Sequence, residues 1–208
     1  FLCQAATFIG VETTFCADEF PFTVQNRTMA GQFSAHIMTS IISGFIISFP
    51  YVLYEFWKFI SPGLLVNEKS RSRGFIFISS LLFFIGVLFG YYIITPLSIN
   101  FLGSYQVSNE VLNEIDLGSY IGLVRSSALA SGIIFELPII IYFLTKAGVV
   151  TPKSLIEYRK YALVLVLILA AIITPPDVAS QIIVAIPIVI LYQVSIFISR
   201  IVVKNQAK

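Results

Sequence analysis

Residues 74–96 read GFIFISSLLFFIGVLFGYYIITP and contain no acidic or basic side chain. A helix rises about 1.5 Å per residue, so this stretch is about 35 Å long when helical, which exceeds the roughly 30 Å hydrocarbon core of a bilayer. Polar and apolar side chains do not alternate along it as they do in the strands of a membrane barrel. The stretch therefore predicts a transmembrane helix.

Similar apolar runs lie on both sides of this stretch. The five predicted spans are roughly Ser34 to Glu55, Gly74 to Pro96, Ser119 to Lys146, Tyr161 to Thr174 and Val178 to Ile198, and the last two are short. The composition agrees, with 57% hydrophobic residues, 12% charged residues and a mean hydropathy of +0.91. The sequence predicts an all-α polytopic membrane protein with one helical membrane domain.

The charges between the spans predict the orientation of the chain. Basic residues collect in residues 56–73, in residues 146–160 and from Arg200 onward, which predicts that these segments are cytoplasmic. Residues 101–118 carry three acidic residues and no base, and the first 33 residues carry a single arginine, so both segments are predicted to face the exterior. The net charge of +2 is too small to indicate nucleic-acid binding.

These assignments divide the chain into three parts. Residues 1–33 form an exterior cap, residues 34–200 form the transmembrane domain with cytoplasmic loops near 56–73 and 147–160, and residues 201–208 form a cytoplasmic tail. An odd number of spans that starts outside, without an initiator Met, leads us to expect a preceding helix. We therefore expect six spans in the natural protein, with both termini in the cytoplasm.

Residues that suggest catalysis are scarce. The sequence has no Walker A loop, no His-Glu-x-x-His, no Gly-x-Ser-x-Gly and no Cys-x-x-Cys, so we predict neither an enzyme nor a metal or cofactor site. His36 lacks a second ligand or catalytic partner in the sequence and is interpreted as a packing residue. Cys3 and Cys16 both lie in the predicted exterior cap, where an oxidising compartment either joins them in a disulfide or leaves them unpaired.

Two ionisable residues occur in one predicted span. Arg125 and Glu136 are eleven residues apart, which returns to nearly the same helix face about 16 Å away along the axis. Arg125 is near the exterior end and is interpreted as a snorkelling structural residue. Glu136 is interpreted as a polar site for a partner helix or a wet cavity, and a structural hydrogen bond is the alternative.

Prolines and glycines predict where these helices bend, end or approach each other. Pro138 follows Glu136 directly, and Pro187 lies within the last span. Pro175, Pro176 and Asp177 predict a turn between the two short spans, with Asp177 capping the next helix. The pairs Gly86/Gly90 and Gly118/Gly122 are spaced for close helix packing, although this spacing is common by chance.

Three segments carry a resemblance to a known family. They are Phe59-x-x-Pro62-x-Leu64-x-x-x-Glu68, then Phe135-Glu136-Leu137-Pro138, and then Thr174-Pro175-Pro176-Asp177-Val178-x-Ser180-Gln181. In this order and spacing they resemble the hallmark segments of the TatC family of the twin-arginine protein translocase. The resemblance runs from about Gln32 to Arg200 and independently implies six helices with both ends in the cytoplasm.

The resemblance implies a receptor that binds twin-arginine signal peptides of folded cargo at its cytoplasmic face. Glu68 matches the family's signal-binding glutamate, and Phe59, Pro62 and Leu64 match positions that shape the same surface. A carboxylate accepts paired donors from guanidinium, which favours arginine over lysine. The alternative for all four residues is an interfacial loop that anchors two helices.

The resemblance also implies partners within the membrane. Glu136 matches a glutamate that faces a polar residue on a single-span partner of the TatA or TatB type, and self-association is expected too. The short last helices and a polar residue at mid-depth would form a concave wall that thins the bilayer. Transport would be driven by proton motive force in the bacterial inner membrane.

Two observations limit the resemblance. Arg125 has no counterpart in the family pattern, and the family's cytoplasmic N-terminal segment, which supplies a second signal-binding acidic residue, is absent. The rival hypothesis is a proton-coupled transporter of a small solute, with Glu136 and Arg125 as a relay. It predicts inverted repeats, which the sequence does not display.

Overall fold

The computed structural model describes residues 23–60, 72–106, 108, 114–174 and 178–206. Within them the chain forms two short strands, eight α-helices and one π-helical turn. In chain order these are β1 (Thr23–Gln25), α1 (Gly31–Ile60), α2 (Ser72–Phe89), the π turn (Gly90–Ile94), α3 (Thr95–Ser104), β2 (Glu114–Asp116), α4 (Leu117–Phe135), α5 (Leu137–Lys146), α6 (Pro152–Glu157), α7 (Arg159–Ile173) and α8 (Val178–Gln206). The predicted all-α membrane fold is confirmed.

Four helical stretches of the described chain are long and apolar enough to cross a membrane. They are Gly31–Lys58, Ile76–Ser104, Leu117–Lys146 and Ser180–Lys204. The predicted fourth span corresponds to α7, which has 15 residues and is therefore about 22 Å long, shorter than a hydrocarbon core of about 30 Å. The chain is thus a multi-pass membrane protein in which a short helix lies beside longer ones.

The last helix differs from the prediction. It has 29 residues and runs from Val178 to Gln206, past the predicted end at Ile198. Of the two spans predicted to be short, only the one that corresponds to α7 is short. Pro187 lies inside α8 without ending it. The residues after Ile198 contain no Gly or Pro, and the apolar pattern continues through Ile201 and Val202, so nothing local terminates the helix.

The closest helix packing joins α2 and the π turn to α4. A Cβ atom placed on Gly90 would lie 2.4 Å from the carbonyl oxygen of Ser127, and one on Gly86 would lie 2.7 Å from that of Ser131. A Cβ atom placed on Gly132 of α4 would lie 2.8 Å from the side chains of both Phe83 and Val87. The prediction that Gly86 and Gly90 let two helices approach is confirmed, because no side chain would fit between these backbones.

The second glycine pair behaves differently. A Cβ on Gly118 would meet only the Asp116 carboxylate, at 2.9 Å, and one on Gly122 would meet only the Arg125 guanidinium, at 3.7 Å. Neither glycine touches the backbone of another helix. The prediction that this pair supports close helix packing is therefore wrong, as expected for a spacing that occurs often by chance in apolar helices.

The π turn precedes Pro96 and places its residues against α7 and α8. Proline lacks an N–H and crowds the preceding turn, so the α-helical pattern is disturbed before it. The Thr95 N–H bonds to the Gly90 carbonyl five residues earlier, and the Thr95 hydroxyl donates to the same oxygen at 2.9 Å. Ile94 is then buried in a cluster with Val166, Ala170, Val184, Ala185 and Ile188.

The two strands join the beginnings of α1 and α4. β1 and β2 pair in parallel, with Thr23 opposite Glu114 and Gln25 opposite Asp116. Because β1 closely precedes α1 and β2 directly precedes α4, both helices start at the same end of the molecule, called here the strand end. That both segments face the exterior stays a prediction.

Asp116 organises the strand end. It is the N-cap of α4, and its Oδ2 accepts from the backbone N–H groups of Gly118 at 2.9 Å and Ser119 at 3.3 Å. These amides have no partner inside the helix, so the carboxylate stabilises its first turn. Arg27 and Glu114 form a salt bridge of 3.0 Å beside it.

Candidate functional site

Glu136 lies at a break between two helices. α4 ends at Phe135 and α5 begins at Leu137, so Glu136 occupies the junction. The ring of Pro138 crowds the carbonyl four residues earlier and offers no N–H, which interrupts the regular pattern at this point. The Glu136 carbonyl instead accepts from Ile139 and Ile140, each at 3.0 Å. Pro138 therefore accounts for the break in the helix at the glutamate.

The Glu136 side chain is buried between helices. Only 7% of the residue is exposed, and the Ser79 hydroxyl of α2 donates to its Oε2 at 2.5 Å. Its Oε1 has no hydrogen-bond partner in the described part of the chain. Burying a carboxyl oxygen without a hydrogen-bond partner costs free energy in a membrane. Oε1 can therefore accept a hydrogen bond from one more donor.

Buried hydroxyls line the same helices. The Oγ atoms of Ser80 in α2, Ser98 in α3, and Ser127 and Ser131 in α4 are buried and lack a partner within the described ranges. Of these four residues, Ser127 and Ser131 lie where the π turn and α2 approach α4. The interior of this helix layer is therefore unusually polar for a membrane-spanning segment.

The predicted signal-peptide surface falls mainly outside the described residues. Pro62, Leu64 and Glu68 lie in residues 61–71, between the end of α1 and the start of α2. Phe59 belongs to the last turn of α1 instead of the predicted loop, because α1 continues to Ile60. The Trp57 ring lies 5.7 Å from that of Phe143 in α5, so this end of α1 is beside α5 and opposite the strand end.

Of the third hallmark segment, residues 174–181, the structure describes residue 174 and residues 178–181. Pro175, Pro176 and Asp177 lie outside the described residues, as do Cys3 and Cys16. Before residues 175–177 in the chain, the Thr174 hydroxyl donates to the Ala170 carbonyl at 2.8 Å. After them, the Gln181 amide donates to the Leu167 carbonyl at 3.0 Å and links α8 to α7.

The family described as "Sec-independent protein translocase protein (TatC)" matches residues 3–187. The chain belongs to the TatC family. The family identifies the chain as a protein translocase component, and it does not favour the small-solute transporter.

Individual relatives agree. A TatC protein of Blattabacterium sp. subsp. Periplaneta americana is 49% identical over 183 residues, which cover 88% of this chain and 69% of the relative. A TatC protein of Aquifex aeolicus is 41% identical over 173 residues, which cover 82% of this chain and 71% of the relative.

Solved TatC structures share the fold. A crystal structure of the twin arginine translocase receptor TatC is 37% identical with a TM-score of 0.72, and the match covers 88% of this chain and 80% of that one. A second structure of the receptor, in DDM, is 39% identical with a TM-score of 0.71 and covers 84% and 77% respectively.

Sequence reasoning found Glu136 but missed its partner. Ser79 is one of two adjacent serines in an apolar run, and nothing in its spacing indicates a contact 57 residues away. Arg125 and Glu136, predicted to share a helix face, contact different neighbours. Arg125 donates to the Ala35 carbonyl of α1 at 3.3 Å, whereas Glu136 accepts from α2.

Proposed function

We propose that this chain is the receptor subunit of a twin-arginine translocase, which binds the signal peptides of folded cargo and recruits TatA-type and TatB-type partners. The observation that carries the proposal is the likeness to solved structures of a twin arginine translocase receptor over more than four fifths of the chain. The match to the family, over residues 3–187, spans the three hallmark segments found in the sequence.

Glu68 is proposed as the signal-binding carboxylate. It belongs to residues 61–71, which lie in the sequence between the end of α1 and the start of α2. Nearby basic residues, Lys58 among them, predict a cytoplasmic location for that segment. Two guanidinium groups can each present paired N–H donors to a carboxylate, which a lysine ammonium cannot reproduce. Phe59, Pro62 and Leu64 are proposed to shape the surrounding surface.

Glu136 is proposed as the contact for a single-span partner. Its free Oε1 is buried at the junction of α4 and α5, within a candidate membrane span. A polar side chain on a partner helix would satisfy that oxygen and recover part of the cost of burying it. Pro138 contributes by interrupting the regular helix beside Glu136.

The setting proposed for this receptor is the bacterial inner membrane. Both natural termini and the loops at the Lys58 end would be cytoplasmic, and the strand end would face the exterior. Transport would draw on proton motive force, and the chain would self-associate within the complex. No cofactor is required by this scheme.

Photo-crosslinking tests the receptor assignment directly. A photoreactive residue replaces Asn67, next to Glu68, and is combined with a twin-arginine signal peptide in membranes that contain the full chain. The comparison uses the otherwise native chain, Glu68→Ala, and a twin-lysine peptide. Glu157→Ala, which removes an exposed carboxylate of α6, serves as the matched control.

The expected result is an adduct that falls at least roughly tenfold with Glu68→Ala or the twin-lysine peptide, because a charge-assisted bidentate contact is lost. The Glu157→Ala chain should crosslink like the native one. Adducts that are indifferent to Glu68 and to the peptide's arginines would reject the assignment and leave Glu68 as a loop charge.

A further inference from the structure

A pocket of about 320 Å³ lies at the strand end between the beginnings of α1 and α4. Its polar side chains are those of Thr28, Ser34, Asp116 and Arg125. The rest of the lining comes from the small residues Ala30, Gly31, Ala35 and Gly118. None of these residues belongs to the three hallmark segments. The pocket is therefore separate from the sites proposed above for the signal peptide and for partner helices.

Arg125 enters the pocket with unused donors. Its only hydrogen bond in the described chain runs from Nη1 to the Ala35 carbonyl, and at 3.3 Å it is long. The same carbonyl already accepts from the Thr39 hydroxyl at 2.7 Å. A guanidinium has five N–H groups, so four of them remain for a ligand in the pocket.

Asp116 supplies the opposite charge without neutralising Arg125. No ion pair joins the two side chains, although both are described and both line the pocket. The Oδ2 atom of Asp116 is used by the amides of Gly118 and Ser119, but Oδ1 has a single long contact of 3.4 Å with the Arg27 N–H. The pocket thus holds a cation and a carboxylate that are separated and incompletely bonded.

The position of the pocket matches the surface of a bilayer. Arg125 follows the first residue of α4 by eight positions, which is about 12 Å along the axis. Helical side chains point back toward the N-terminus, so the guanidinium reaches toward the strand end and the boundary of the hydrocarbon. On α1, Ser34 shares a face with Met38, Ile41 and Phe45, which are 50%, 60% and 41% exposed. An apolar track suited to acyl chains therefore leads away from the pocket.

We propose that this pocket binds the headgroup of a zwitterionic phospholipid with a primary ammonium, such as phosphatidylethanolamine. The phosphate would accept from Arg125 and the Ser34 hydroxyl, and the ammonium would donate to Oδ1 of Asp116. An anionic headgroup would leave Asp116 without a partner, and a choline headgroup has no N–H to donate. The bound lipid would fasten α1 to α4 beside the strand pair.

Native mass spectrometry of the delipidated full chain in detergent tests the proposal. The chain is titrated with phosphatidylethanolamine, phosphatidylcholine or phosphatidylglycerol of the same acyl composition, and soluble phosphoethanolamine is added as a competitor. Variants are Arg125→Gln and Asp116→Asn, the latter chosen because asparagine still caps a helix. Arg27→Gln is the matched control, since its guanidinium bonds to Glu114 and does not line the pocket.

The native chain should bind phosphatidylethanolamine roughly tenfold more tightly than phosphatidylcholine, because the choline headgroup cannot donate the charge-assisted hydrogen bond to Asp116. Arg125→Gln should weaken binding of phosphatidylethanolamine by a similar factor, and Asp116→Asn should remove the preference over phosphatidylcholine. Arg27→Gln should change neither. Soluble phosphoethanolamine should compete only weakly, because it lacks the chains that cover the α1 track.

Three results would overturn the proposal. Equal retention of all three lipids would show that there is no headgroup site. If phosphatidylglycerol binds more tightly than the other lipids and Asp116→Asn does not change its affinity, the pocket is an anion site only. Effective competition by soluble phosphoethanolamine would identify a site for a free metabolite instead of a lipid. If Arg125→Gln does not fold, the comparison of lipids on the native chain and on Asp116→Asn still decides.

Discussion

Replacing Gly90 by alanine tests whether the contact between the π turn and α4 stabilises the fold. The added Cβ would lie 2.4 Å from the Ser127 carbonyl oxygen and 2.8 Å from the Ala128 Cα. Both atoms are backbone and belong to a helix that is also packed on α1, so neither can rotate away. Overpacking of this kind costs about 1–3 kcal/mol.

Gly44→Ala is the matched control. It also adds a single methyl group to a membrane-spanning helix, but its Cβ would meet nothing within 4 Å. Alanine favours a helix over glycine by up to about 1 kcal/mol in each case, so this gain cancels when the two variants are compared. The Gly90→Ala chain should therefore unfold more easily than the Gly44→Ala chain by about 1–3 kcal/mol.

The assay is unfolding by SDS in mixed micelles, followed by circular dichroism and by the fluorescence of Trp57. Trp57 lies in α1 beside Phe143 of α5, so its emission reports the packing of α1 against α5, distant from both substitutions. If Gly90→Ala is as stable as Gly44→Ala, the close approach of the π turn and α4 is not a feature of the folded protein.

Three further changes probe the polar contacts. Ser79→Ala leaves both Glu136 carboxyl oxygens unpaired in the described chain and should destabilise it by about 1–3 kcal/mol in the same SDS assay; an unchanged midpoint would dismiss the contact. Asp116→Ala removes a helix cap and should cost about 0.5–2 kcal/mol and speed hydrogen exchange in the first turn of α4, unlike Asp116→Asn. Arg27→Gln breaks an exposed salt bridge and should cost less than about 1 kcal/mol, so a larger loss would contradict a surface role.

The sequence predicted the membrane fold well because its signals are local. Apolar runs long enough to cross a bilayer can be read directly, and two of the four long spans, Gly31–Lys58 and Leu117–Lys146, fall close to the predicted ranges. The second long span, Ile76–Ser104, continues eight residues beyond its predicted end at Pro96. The fourth, α8, continues eight residues beyond the predicted end because residues after Ile198 contain no helix breaker. The π turn was not predicted, since a hydrogen bond displaced by one residue leaves no trace in hydropathy.

The candidate site was predicted in part. Glu136 and Pro138 stand out because a carboxylate and a helix breaker are rare inside an apolar run, and the structure places both at the junction of α4 and α5. The roles of Glu68, Phe59, Pro62 and Leu64 remain predictions. The cap made by Asp116 was missed because the residue was interpreted only through its charge, although Asp directly before a helix is a known capping signal.

The sequence by itself determined that this chain enters a membrane, roughly where its spans begin, and which rare polar residues lie inside. These properties depend on composition and spacing within one segment. Only the tertiary structure decided that Ser79 meets Glu136, that Gly86 and Gly90 meet α4, and that Arg125 and Asp116 share a pocket without pairing. Each of these contacts joins residues from different helices, and hydrophobicity does not specify which helix faces should meet in lipid.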